Sequence, residues 1–119
     1  MLNKEMKQEE NPVLDIVTSS LEDGKAEDVV VIDLRGKTSI ANEMVVASGT
    51  SDWHVISLAQ RVQENLKAAG YKSVSEGEAK GDWVLIDAYD VIVHLFRPEV
   101  REFYNLEKMW QSAANLRKE

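Results

Sequence analysis

No cysteine occurs among the 119 residues, which excludes disulfides and thiolate-held metal centres. No apolar run approaches the roughly 20 residues a helix needs to cross a bilayer, so no membrane span is expected. The opening Met1-Leu2-Asn3-Lys4-Glu5 lacks the charged-then-apolar plan of a secretory signal, and the expected compartment is the cytoplasm. Positive charge is also scarce. Fourteen Lys and Arg stand against 21 Asp and Glu, a net charge of −7, and the longest cationic stretch is Arg117-Lys118. Affinity for phosphate backbones comes mainly from clustered Lys and Arg, so direct DNA binding is not expected. An acidic chain is better matched to a basic protein surface.

What is present describes a folded domain. Hydrophobic residues make up 44% and charged residues 29%, an ordinary globular balance, and the length suits one hydrophobic core. Residues 1–10 read as a polar, disordered tail, 11–111 as the domain and 112–119 as a polar C-terminal tail. The chain contains no repeat and no linker.

Both prolines stand where helices can begin. Asn11-Pro12 opens a helix with Leu14, Val17 and Leu21 at helical spacing and Gly24 as its C-terminal cap. Val29-Val30-Val31-Ile32 is a continuous β-branched run, as in a strand buried on both faces. Met44-Val45-Val46-Ala47 is a shorter strand candidate, followed by the turn Ser48-Gly49-Thr50-Ser51. From Asp52 a helix carries Val55, Leu58, Ala59, Val62, Leu66 and Ala69 as one stripe, and Gly70 stops it. A polar connection through Glu76, Gly77, Glu78 and Gly81 leads to Trp83-Val84-Leu85-Ile86 and Val91-Ile92-Val93-His94-Leu95-Phe96. With Asp87-Ala88-Tyr89-Asp90 between them, these two strands form a hairpin. Pro98 then starts a helix with Val100, Phe103 and Tyr104, and Leu106, Met109 and Trp110 supply a last apolar patch. The order α-β-β-α-β-β-α predicts an α/β fold: one domain, a mixed β-sheet flanked by helices.

Several constellations invite chemistry. Gly49-Thr50-Ser51 at a strand-to-helix junction could seat a phosphate on a helix N-terminus, but it lacks a Walker lysine and the three spaced glycines of a dinucleotide site. A glycine turn with an N-cap is the plainer reading. A nucleotidyltransferase would need an Asp-x-Asp pair about a strand's length after Ser51, because magnesium must bridge two carboxylates to the phosphates. None stands there. Glu76/Glu78 and Asp87/Asp90 come too late or at the wrong spacing. His54 and His94 have no ligand pattern around them, so neither a metal nor a cofactor is expected and no catalytic residue is assigned.

Alternation puts His94 beside Ile92 and Phe96, opposite Val91, Val93 and Leu95. Two readings stay open: a helix-covered face holding a satisfied buried histidine, or a bare apolar face that would favour self-association. Six of the eight aromatics, Trp83, Tyr89, Phe96, Phe103, Tyr104 and Trp110, fall in the last third with Arg97 and Arg101 among them. Aromatics with arginine enrich protein interfaces, although part of this set must be core.

Ser48-Gly49-Thr50-Ser51, Glu76-Gly77, Trp83-Val84-Leu85-Ile86-Asp87, Val93-His94-Leu95-Phe96-Arg97-Pro98 and Arg101-Glu102-Phe103-Tyr104-Asn105-Leu106-Glu107 follow in one order. This series closely resembles the ribosomal silencing factor family, also called RsfS or Iojap-related, from about Pro12 to Trp110. The chain departs from it at Asn42-Glu43-Met44, where the family often has Asp-Tyr-Phe, and at Asn105, where Asp is usual. The resemblance implies a nucleotidyltransferase-like fold without catalytic carboxylates. It implies binding to ribosomal protein fourteen of the large ribosomal subunit, a steric block to small-subunit joining, repression of translation when nutrients are scarce, and a homodimer when free. Partner-binding candidates carried over by motif are Trp83, Asp87, His94, Phe96, Arg97, Arg101, Tyr104 and Glu107, with Tyr89 and Trp110 beside them.

Overall fold

The computed structural model describes residues 12–37, 39–77 and 82–100. The expected tails at 1–10 and 112–119, and the helix and apolar patch expected beyond Val100, lie outside the described residues. Helix α1 (Pro12–Asp23) precedes β1 (Glu27–Asp33) and β2 (Glu43–Ser48), then α2 (Asp52–Ala68), β3 (Val74–Glu76), β4 (Trp83–Asp87) and β5 (Val91–Phe96). One five-stranded mixed sheet runs in the order β1-β2-β5-β4-β3. The central pair β2 and β5 is parallel, and the other pairs are antiparallel.

The helix signals resolve as local chemistry. Ser51 is extended and its side chain accepts the His54 N–H, which caps α2. Gly70, at φ +91°, turns the chain after the helix in a conformation that side-chain-bearing residues avoid. Val55, Leu58, Ala59, Val62 and Leu66 are buried as their spacing requires, while Ala69, at the cap, is exposed. After α1, the left-handed residue is Lys25 (φ 67°) and not Gly24.

Both helices cover one face of the sheet. Val13, Val17 and Leu21 of α1 meet Val55, Leu58, Val62 and Leu66 of α2 over Val45, Ala47, Val84, Ile86, Val91, Val93 and Leu95. Between the helices, the Asn65 amide donates to Ser20 Oγ (2.8 Å), and Ser20 Oγ donates to the Ile16 carbonyl (2.6 Å), so the buried hydroxyl is satisfied. On the opposite face Ile32, Leu34, Ala41, Met44, Val46 and Phe96 form a second cluster, with Trp83, Ile92 and Val100 packed against it. Met44, at one of the family departures, is fully buried there.

Two expectations need correction. The strand expected to be buried on both faces is an edge strand: among the described residues β1 pairs with β2 alone, and Val29, Val30 and Val31 are exposed. Two-sided burial belongs instead to β2, which lies between β1 and β5 with all six residues buried. The connection after Gly70 is not merely polar loop, because Val74-Ser75-Glu76 pairs antiparallel with β4 and completes the other edge.

Candidate functional site

Motif residues from the β4–β5 hairpin and from the junction before α2 meet at two places. The first is an aromatic wall on the second face of the sheet. Register sets Trp83 directly opposite Phe96, and their rings stack at 5.2 Å and 15°. The Trp83 indole N–H donates to His94 Nδ1 at 3.2 Å, which places the neutral imidazole's proton on Nε2. Phe96 is fully buried, His94 is 8% exposed and Trp83 is half-buried. Burial of the imidazole pushes its pKa down to about 4, so it is neutral at physiological pH. His94 is buried and hydrogen-bonded, as the first reading expects, but the two described helices lie on the opposite face and do not cover it. These three rings hold one another.

The second place is the end of the parallel pair, where open α/β sheets commonly bind ligands. Here the chain's own groups engage one another. The Thr50 N–H donates to His54 Nδ1 (2.8 Å), and His54 Nε2 meets the Gly24 carbonyl (2.8 Å). Both ring nitrogens are therefore occupied by backbone, and His54 ties the turn to the end of α1. Gly49 donates its N–H to the Phe96 carbonyl (2.9 Å) and passes so close to α2 that a Cβ there would stand 2.8 Å from Val55 Cγ2. The glycine serves strand-to-helix packing. Asp52 sets a carboxylate at the helix N-terminus, where the dipole favours it, and Arg97 Nε approaches its Oδ1 to 2.9 Å. That approach is an ion-pair contact without the alignment of a hydrogen bond. Arg97 Nη1 also meets Glu99 at 3.0 Å. A phosphate would have to displace Asp52 and the Ser51 cap, so the geometry favours the N-cap reading over a nucleotide site.

At the hairpin tip, Asp87 Oδ1 accepts the Tyr89 N–H (2.9 Å) and so holds the turn. Tyr89, in the left-handed region at φ 70°, is 61% exposed. Arg101, Tyr104, Glu107 and Trp110 lie outside the described residues, as does Glu78. Among the described residues no group of three or more His, Asp or Glu could hold a metal ion. None of their helices is long and apolar enough to cross a membrane.

Sequence reasoning missed the partners that fix this junction. Asp52 and Arg97 are 45 positions apart, and only the parallel pairing of β2 with β5 brings them together. It also missed Glu43, a buried carboxylate 3.7 Å from Arg35 Nη2. Arg35 reaches Asp33 as well, at 3.1 Å. The Asp33 and Arg35 spacing was a visible signal.

Fold and junction together define a class: a mixed-sheet α/β domain whose strand-end groups engage one another. The chain belongs to the ribosomal silencing factor family, since the model described as "Ribosomal silencing factor during starvation" matches residues 7–119. It is 54% identical over 99 residues to ribosomal silencing factor RsfS of Zymomonas mobilis, covering 82% of this chain and 74% of that one. A crystal structure of a Chromobacterium violaceum protein superimposes with a TM-score of 0.81 at 42% identity, over 83% of each chain. More distantly, the mouse protein named mitochondrial assembly of ribosomal large subunit protein 1 is 32% identical over 82% of this chain and 44% of its own length.

Proposed function

We propose that this protein binds ribosomal protein fourteen on the joining face of the large ribosomal subunit and sterically prevents association with the small subunit. In the cytoplasm this represses translation when nutrients are limiting. The observation that carries the reading is the family match over residues 7–119, which includes the whole Trp83-to-Glu107 stretch. Two physical features support it. A net charge of −7 suits a basic ribosomal-protein surface, and a steric block asks for no chemistry from strand ends where Ser51, Asp52 and His54 engage the chain's own groups. On this reading the protein is not an enzyme. Trp83, His94 and Phe96 support the hairpin, while exposed Tyr89 and Asp87 and half-buried Arg97 join Arg101, Tyr104, Glu107 and Trp110 in contacting the partner. The free protein is a homodimer.

Sucrose-gradient centrifugation of mixed subunits provides the test. Saturating protein is expected to leave the subunits apart, and undiminished joining refutes the function. Tyr89→Ala removes an exposed side chain that belongs to neither core cluster, and is expected to fold and to weaken the block.

A further inference from the structure

β1 has the composition of an interior strand in the position of an edge strand. Its centre, Val29-Val30-Val31-Ile32, is continuously β-branched, yet Val29, Val30 and Val31 are 39%, 36% and 45% exposed. Val31 lies opposite Val45, on the helix-covered face, but neither helix extends over it. Val30 and Ile32 lie opposite Val46 and Met44, on the other face. β1 is the terminal strand of the sheet, so the backbone groups along its outer side have no ladder partner among the described strands. Edge strands are ordinarily blunted by charge, proline or brevity. Here a register shift between Glu27 and Val30 interrupts only the beginning, and the pairing from Val30 to Asp33 is regular.

The charges select the occupant. All three charged side chains within β1, Glu27, Asp28 and Asp33, are carboxylates. A second copy laid antiparallel about Val30 would put Glu27 opposite Asp33, a carboxylate already paired with Arg35, so β1 itself supplies no cation for Glu27. It would also bring together two molecules of charge −7. A strand with a β-branched centre and Lys or Arg at its ends would gain both the ladder and cross-strand ion pairs.

We infer that β1 is a docking edge, and that an extended, basic-flanked segment of the protein partner adds to it as a sixth strand. This inference rests on the proposed ribosomal binding and gives that binding a surface of its own, apart from the hairpin.

The experiment uses the full chain and purified large subunits, with co-sedimentation across a concentration series. Val31→Lys places a cation on the exposed strand without removing a buried side chain, and Gln60→Lys does the same on the exposed face of α2. Circular dichroism and thermal melting verify that both are folded. Val31→Lys is expected to weaken binding at least about tenfold, and Gln60→Lys to leave it unchanged. A photo-crosslinking residue at position 31 is expected to capture a ribosomal-protein peptide rich in Lys and Arg. If wild type binds and folded Val31→Lys binds equally well, the edge is wrong and the ribosomal reading stands. If wild type does not bind, the ribosomal reading fails and takes this partner with it. If Val31→Lys abolishes a dimer seen by light scattering but leaves subunit binding intact, the occupant is a second copy and the inference is overturned. Should Val31→Lys not fold, Glu27→Lys, exposed at the strand's start, carries the same expected loss and the same overturning result.

Discussion

Val30 and Val46 face each other across one strand pair, as do Val31 and Val45, yet their surroundings differ completely. Val45 and Val46 are fully buried, whereas Val30 and Val31 are more than a third exposed. The two strands have similar valine content, so composition does not separate them. What separates them is the number of neighbours: among the described strands β2 has β1 on one side and β5 on the other, while β1 has β2 alone. A valine-rich strand states that burial is favourable without stating that the fold supplies it.

Three measurements sharpen the contrast between the buried centre and the bare edge. The largest effect is expected at Phe96, fully buried at the end of β5 and stacked on Trp83. Phe96→Ala should destabilise the domain by about 3–5 kcal/mol in denaturant titration, because a large cavity opens beneath a half-buried indole. A loss below about 1 kcal/mol would mean that this face is less tightly closed than it is drawn.

The second is a pH effect. His94 has a folded pKa of about 4, below the 6.5 of a free imidazole, because burial disfavours the charged ring. The unfolded chain therefore takes up this proton first. Stability from this group is complete above pH 6.5 and is lost as pH falls towards 4, by up to about 3 kcal/mol. Protonation at Nδ1 would also remove the acceptor for the Trp83 N–H. Melting temperatures across this window should fall more steeply for wild type than for His94→Gln, which keeps an acceptor but cannot titrate. Equal slopes would show that His94 is not the group responsible.

The smallest effect isolates the strand comparison itself. Val45→Ala should cost about 1.5–3 kcal/mol, as expected for a fully buried valine. Val31→Ala, opposite it across the ladder, should stay within about 1 kcal/mol. Equal losses would mean that β1 is covered in solution, and light scattering on the same samples would show whether a second copy covers it.

Much of the candidate site was legible because its signals are local. The Ser51 cap needs only a hydroxyl before a helical stripe. The β4–β5 hairpin needs only two apolar runs around Asp87-Ala88-Tyr89-Asp90, and strict alternation placed His94 and Phe96 together on one face. Harder to see was β3, because Val74-Ser75-Glu76 is short and polar and gains its strand character from pairing with β4. The meeting of Asp52 with Arg97 was also out of reach, since it depends on which strands become neighbours.

By itself the sequence determined the two described helices, the hairpin, the acidic charge and the family, because each rests on residues close in the chain or on a motif read in order. Tertiary structure alone decided three further things: that β1 is an edge, that His94 is buried beside Trp83 and Phe96, and that His54 is tied to Thr50 and Gly24 and Asp52 to Arg97 at the strand ends. Each depends on strand order and on contacts between residues tens of positions apart. Periodicity shows which side of a strand prefers burial, but whether a neighbour arrives to bury it is settled only when the whole sheet assembles.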